Sequence, residues 1–220
     1  MELNNTVLNI LKNFASINSS IVFNEGNEIK TISEARNILA SAQIEQEFPQ
    51  QFGIYDLNEF LSVLSLVDRP RLKFEENYLL IGDQSGRSKI KYFFTDVDML
   101  VNPPSSMNMP EPDLTFELSS ETMGKIKKAA SALGHSDLVI RPGISLSVCD
   151  IENNTSNTFS IDIDGESSID NFTAVISIEN LKLISSNYTV EISSKNIAKF
   201  TDNDNNLVYY IALEKTSIWS

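Results

Sequence analysis

One cysteine and one histidine stand in the 220 residues, and that scarcity removes several chemistries at once. Cys149 has no second thiol to pair with inside the chain, and no cysteine and histidine set has zinc-ligand spacing. It also lacks a basic neighbour in sequence to activate it, so no reactive thiol is expected. His135 would need an orienting carboxylate on one side and a nucleophile on the other, which Ser136 and Asp137, adjacent in sequence, do not provide. It reads as a residue at a helix C-terminus. Long apolar runs are missing too: "FLSVLSLV" at 60–67 falls far short of the roughly 20 residues that span a bilayer. Met1-Glu2-Leu3-Asn4-Asn5 is not a basic-then-apolar leader, so the expected setting is intracellular. Basic charge is in deficit, with 17 Lys and Arg against 30 Asp and Glu, a net charge of -13. That balance excludes a protein that coats nucleic acid with its whole surface, but not one that turns a single basic face to it.

The remaining motif fragments are weak. "GDQSGRS" at 82–88 has too few residues between glycines for a phosphate loop, has Arg87 where a lysine belongs, and joins two expected strands, so it reads as a hairpin turn. "SIDIDGESSIDN" at 160–171 has Asp162, Asp164 and Gly165 at calcium-loop spacing, but Ser160 and Asn171 stand where carboxylates are needed. It reads as an alternating strand and a turn. Asp202 and Asp204 read as a loop. No catalytic constellation, metal site or cofactor motif remains.

What is present is a duplicated α+β pattern. Hydrophobic residues at 41% and charged residues at 21% describe a globular chain long enough for one large domain or two small ones. Val7, Ile10, Leu11 and Phe14 recur at helical spacing, with Asn5, Asn9, Lys12 and Ser16 opposite. Strands are expected at 19–23, 28–33 and 38–48. "FGIYD" then enters a short helix capped by Asp56, with Leu57, Phe60, Leu61 and Leu64 inward. Three more strands follow, "RLKFEE", "YLLIG" and "SKIKYFFT". From Val97 to Asp113, Pro103, Pro104, Pro110 and Pro112 forbid regular ladder bonding, which marks a connecting segment over 97–112 between domains at 1–96 and 113–220.

The second half repeats this order. "LTFELS" leads into a helix starting at Ser119 or Ser120, with Met123, Ile126, Ala130 and Leu133 as its buried stripe and Gly134 as its stop. Strands are expected at "DLVIRP", "ISLSV" and "TFSIDID". "FTAVIS" enters a short helix with Ile178, Leu181 and Ile184 inward, and "YTVEIS", "IAKFT" and "LVYYIALE" close the series. Lys12-x-x-Ala15-Ser16 matches Lys127-x-x-Ala130-Ser131, and "IYDLNEFLSVLS" matches "VISIENLKLIS". An internal duplication follows.

Within "GKIKKAASALG" at 124–134, Lys125 and Lys128 share one helix face and Lys127 flanks it. Lys12 sits on the counterpart helix, and Lys182 on the expected second-half helix. Alone, these lysines read as solvated faces; in a duplicated architecture they become candidates for a phosphate-facing surface.

The stretches "ILKNFASINSS" at 10–20 and "IYDLNEFLSVLSLV" at 54–67 resemble the T-even-type bacteriophage sliding clamps, the DNA polymerase processivity factors of that group. "ENLKLISSNYTVEI" at 179–192 is similar more loosely, and "VYYIALEK" at 208–215 resembles the last strand of the wider DNA-clamp superfamily. The closing "TSIWS" has no counterpart in the resemblance. The resemblance covers the whole chain in order and implies a duplicated clamp fold. Three chains would close into a ring, helices lining the hole and sheets forming the outer wall.

Such a homotrimer would encircle duplex DNA without sequence preference and tether a replicative DNA polymerase, with no catalysis of its own. Lys12, Lys125, Lys127, Lys128 and Lys182 would face DNA. A partner-peptide pocket would include Tyr210, Ala212 and Leu213, with Leu100 and Val101 from the connecting segment; the Tyr209-Tyr210 pair also reads simply as strand core and rim. The subunit joint would pair the strand edge of Ile90, Lys91, Tyr92, Phe93 and Phe94 with Phe159, Ser160, Ile161, Asp162 and Ile163 of the next chain. An ATP-driven clamp loader and late-transcription factors are further implied partners, and the cytoplasm of an infected bacterial host the implied location. The rival readings are a β-rich viral structural or interaction protein and a hydrolase assembled from scattered carboxylates.

Overall fold

The computed structural model describes residues 1–83, 87–153 and 155–220. The turn expected across 82–88 therefore lies partly outside the described residues. The chain divides into two compact units, Met1–Ser105 and Ser106–Ser220, with the division inside the proline-rich 97–112 segment. Of that segment only Val97–Met99 forms a 3₁₀ turn.

The first unit begins with α1 (Asn5–Ile17), whose N-cap Asn4 accepts a hydrogen bond from the Val7 amide at 2.9 Å. Then come β1 (Ile21–Phe23), β2 (Gly26–Ile32), β3 (Ile38–Phe48), β4 (Phe52–Ile54), α2 (Leu57–Ser65), β5 (Arg71–Phe74), β6 (Tyr78–Gly82) and β7 (Lys89–Phe93). This is the order expected from sequence: helix, three strands, strand and helix, three strands. β2 pairs with β3, β1 with β4, and β5, β6 and β7 form a three-stranded meander, every ladder antiparallel. The buried stripe of α1 (Val7, Ile10, Leu11, Phe14, Ile17) packs on α2 and β3. Beside it the Phe52 ring lies 4.6 Å from Phe23 and 4.9 Å from Phe94.

The second unit holds β8 (Leu114–Leu118), α3 (Ser120–Leu133), β9 (Asp137–Arg141), β10 (Ser145–Val148), β11 (Phe159–Asp162), β12 (Gly165–Ser167), β13 (Phe172–Ser177), β14 (Tyr188–Ser193), β15 (Ile197–Asp202), β16 (Leu207–Ala212) and β17 (Ile218–Trp219). One sheet runs β11-β10-β9-β13-β17, and β12, β8, β14, β15 and β16 neighbour one another in that order. In both units the segment before the first helix pairs with the strand that follows the second helical segment. Glu2 bridges Arg71 of β5 in one, and β8 pairs with β14 in the other. The duplication read from the sequence is thus visible as topology.

The units differ most where the second short helix was expected. Residues 178–184 do not form it: a single 3₁₀ turn, Ile178–Asn180, is all that is helical. Asp56 accepts from the Glu59 amide at 3.0 Å and starts α2, whereas Ser177 makes no capping bond. Leu181 sits at φ -77, ψ 52, and the Lys182 amide donates to the Asn180 carbonyl at 2.8 Å, an inverse γ-turn that diverts the backbone. The buried residues there are Leu181 and Leu183, an extended spacing rather than a helical one. Leu133, expected in the buried stripe of α3, is half-buried.

Candidate functional site

The helices carry the candidate DNA-facing residues. On α1, Asn5, Asn9, Lys12 and Ser16 are all exposed opposite the buried stripe. On α3, Ser119 Oγ accepts from the Thr122 amide at 3.1 Å, and the Ser120 amide donates to Asn187 Oδ1 at 3.0 Å, so the first turn is held at two points. Gly134 closes the helix in the left-handed region at φ 71, its amide donating to the Ala130 carbonyl. Met123, Ile126 and Ala130 face inward, which turns Lys125 and Lys128 to solvent.

The lysines are not equivalent. Lys125 Nζ is 2.7 Å from Glu121 Oε1, one turn earlier, and this pairing holds the Glu121 carboxyl below the usual carboxylate range. Lys127 is half-buried, and desolvation pulls its ammonium below the ordinary lysine value. Lys182 is half-buried beyond the 3₁₀ turn and not on a helix, which corrects the reading of its element. Sequence reasoning missed Glu121, although the spacing from Glu121 to Lys125 is the favourable helical one and was readable.

The two strands expected at the subunit joint are both sheet edges. β7 ends the β5-β6-β7 meander, and β11 ends the five-stranded sheet. On β7, Lys89, Lys91 and Phe93 are exposed, while Ile90 and Tyr92 are half-buried. The Tyr92 ring packs 5.2 Å from Phe60 of α2; burial, then Glu59 and Asp56, push its hydroxyl up to about 12. Phe94 packs on Phe52. Across the exposed face, Lys91 Nζ lies 3.9 Å from the centre of the Tyr78 ring and 4.6 Å from that of Phe93. On β11, Phe159 and Ile161 are half-buried beside Val148 and Leu146, whereas Ser160 and Asp162 are exposed.

Of the expected peptide pocket, Tyr210, Ala212 and Leu213 come together at the end of β16. Tyr210 is half-buried and donates its hydroxyl to the Met107 carbonyl at 3.4 Å. Leu213 is buried, its amide donating to the Asn196 carbonyl at 3.0 Å. Leu100 and Val101, half-buried, belong to the first unit. The preceding Tyr209 is core: it and Tyr188 are fully buried, and burial pushes both hydroxyls upward. The Tyr209 hydroxyl accepts from the Ile184 amide and the Tyr188 hydroxyl donates to the Ile184 carbonyl, pinning the segment that failed to become a helix.

His135 Nε2 lies 2.8 Å from the Asn157 carbonyl, and Cys149 is buried, as a structural histidine and cysteine would be. Among the described residues no cluster of His, Cys, Asp and Glu is arranged to hold a metal. Nor, among them, is any helix long and apolar enough to cross a membrane.

Comparison with known proteins agrees with this geometry. The family described as DNA polymerase processivity factor matches residues 4–97. The sliding clamp of Vibrio phage KVP40 is 33% identical, covering 97% of this chain and 99% of its own length. That of Escherichia phage RB69 is 28% identical, covering 99% of this chain and 98% of its own. Among solved structures, the Proliferating Cellular Nuclear Antigen from Entamoeba histolytica superposes with a TM-score of 0.68 at 18% identity, covering 95% of each chain; that likeness concerns the fold alone. A duplicated fold, similar over its whole length to these phage proteins, makes the chain a member of the T-even-type phage sliding-clamp family of DNA polymerase processivity factors.

Proposed function

We propose that this clamp joins two further copies of itself, edge strand to edge strand, in a homotrimeric ring that encircles duplex DNA and holds a replicative DNA polymerase at the primer end. A processivity factor acts by tethering and does no chemistry itself: confinement on the same DNA raises the polymerase's effective concentration there. The observation that carries the DNA-facing part is the charge on α3. Lys125 and Lys128 stand on its exposed face in a chain of net charge -13. Lysines are point charges that meet phosphates without reading bases, so the contact is sequence-independent and loose enough to slide. Lys12, exposed on α1 of the first unit, is a phosphate contact of the same kind, whereas Lys127 and Lys182 contribute less, being half-buried. The acidic remainder discourages DNA from wrapping the outside.

The end of β16 at Tyr210, Ala212 and Leu213 is the proposed dock for the partner peptides of the polymerase, and of late-transcription factors in turn. An ATP-driven loader would open the ring, in the cytoplasm of an infected bacterium. The test reverses Lys125 and Lys128 to Glu together. Expected is loss of polymerase stimulation on a primed template, with unchanged circular dichroism and unchanged association by sedimentation. Undiminished stimulation overturns the DNA face, and a strictly monomeric natural chain across the micromolar range overturns the ring.

A further inference from the structure

Resting on the ring reading, we infer the register of its joint: β7 of one copy pairs antiparallel with β11 of the next, Lys91 opposite Asp162. Three properties of the two edges agree on it. The first is backbone polarity. The Phe94 amide bonds inward to the Asn77 carbonyl across the β6-β7 ladder. Alternation along the strand then turns the amides and carbonyls of Lys89, Lys91 and Phe93 to the open edge. On β11 the Ile163 amide bonds inward to the Ile144 carbonyl, which turns those of Ser160 and Asp162 outward. An antiparallel ladder needs outward residues opposite outward residues, and Lys91 with Asp162 meets that need. Slipping by one residue sets outward groups against inward ones. A parallel pairing instead lays Lys91 beside Ile161 or Ile163.

The second property is charge. With Lys91 opposite Asp162, Lys89 falls opposite Asp164 and Phe93 opposite Ser160, all on the exposed faces. Asp162 and Asp164 line an open hollow of about 540 Å³ together with Glu117, an acidic surface that a second copy's lysines would neutralise. The third is the opposite face, where Ile90 meets Ile163, Tyr92 meets Ile161 and Phe94 meets Phe159. All six are half-buried in the single chain, as an apolar seam awaiting a cover would be. Slipping by two residues keeps the backbone matched but breaks a face. One direction sets Phe93 against Asp162 and Ile90 against Gly165; the other leaves Lys91 against Ser160 and Phe94 against Asn157. In the free chain Lys91 rests over Tyr78 and Phe93, and joining exchanges those rings for a carboxylate.

The experiment is disulfide trapping in a Cys149→Ala background. Directly opposed residues in such a ladder have Cα atoms about 5.5 Å apart, inside disulfide range, whereas partners displaced by two residues lie about 7–8 Å apart and outside it. Lys91→Cys with Asp162→Cys should give covalently closed rings on mild oxidation, in at least roughly tenfold excess over Lys91→Cys combined with Ser160→Cys or Asp164→Cys. Equal or better trapping by a displaced pair, with sedimentation still finding association, overturns the register and leaves the ring reading standing. No association by the natural chain overturns both. A second arm needs no cysteines. Lys91→Glu or Asp162→Lys alone should weaken association about fivefold, and the two together should restore it; a double variant no better than either single one overturns the pairing.

Discussion

Lys125 Nζ and Glu121 Oε1 lie 2.7 Å apart on consecutive turns of α3, so the most prominent lysine of the proposed DNA face already has a carboxylate partner. DNA phosphates must compete for it. Glu121→Gln is expected to strengthen association with duplex DNA at low salt, and Lys128→Gln to weaken it. In plots of log affinity against log salt, Lys128→Gln should flatten the slope by about 1. Lys127→Gln should change it less, because that side chain is half-buried. Affinity measured at several salt concentrations checks all three. An unchanged slope for Lys128→Gln would remove it from the DNA face.

Asp56 starts α2, and α2 covers β7 through the contact of Phe60 with Tyr92. Removing its cap in Asp56→Ala should destabilise the fold by ~1 kcal/mol. For a chain of this length that is about 2–4 °C in the unfolding midpoint. Asp56→Asn, which keeps the acceptor, should lose much less. Thermal unfolding of the pair separates the cap from a plain charge effect.

The contrast between α2 and its counterpart tells what was legible in the sequence. Local signals were read correctly wherever they decided the outcome: the Asp56 cap, the Gly134 stop, the buried stripe of α1, the Met123, Ile126 and Ala130 stripe of α3, though not its last member Leu133, and the ladder of 38–48, which stands unaltered as β3. At 178–184 the apolar spacing satisfied a helix equally well, and the competing terms were tertiary. Two buried tyrosine hydroxyls hold Ile184 on both its backbone groups, and no capping side chain starts a helix at Ser177. The placement of Lys182 was misread for that reason. The strand edges were legible only as positions in a resemblance. Their register needed the inward bonds of Phe94 and Ile163, which depend on partners far away in sequence or in an adjacent strand.

Tyr92 supplies a pH signature. Its folded value, about 12, lies above the ordinary tyrosine value of 10.0 because burial and the nearby carboxylates of Glu59 and Asp56 disfavour the phenolate. A raised value stabilises the fold fully below pH 10, and that contribution is lost as pH rises toward 12. Tyr188 and Tyr209 shift in the same direction, so the diagnostic quantity is a difference. The stability gap between the natural chain and Tyr92→Phe should move in favour of the phenylalanine variant between pH 10 and 12. Denaturant titrations at pH 9 and 11.5 measure it, and a gap independent of pH would contradict the burial of this hydroxyl.

The closing "TSIWS" is the part of the chain that no pattern anticipated, and it proves to be structural. It forms β17, which pairs Trp219 with Phe172 and Ile218 with Thr173. Trp219 stacks on Phe172 with ring centres 6.3 Å apart and donates its indole N–H to Asn196 Oδ1 at 2.8 Å. Ser217 satisfies a buried strand: its Oγ accepts the Val175 amide at 3.0 Å, and Val175 is buried on β13. The Val175 carbonyl is turned the same way, accepting from the Glu214 amide, so that edge of β13 relies on the tail rather than on β9. Ser217→Ala leaves a buried donor without its partner and should cost about 1–3 kcal/mol. Ser217→Thr, which keeps the hydroxyl, should recover most of it. Trp219 is the sole tryptophan, so its emission reports this tail directly. In Ser217→Ala the emission should shift to the red before circular dichroism records global unfolding, whereas coincident transitions would mean that the tail does not loosen by itself.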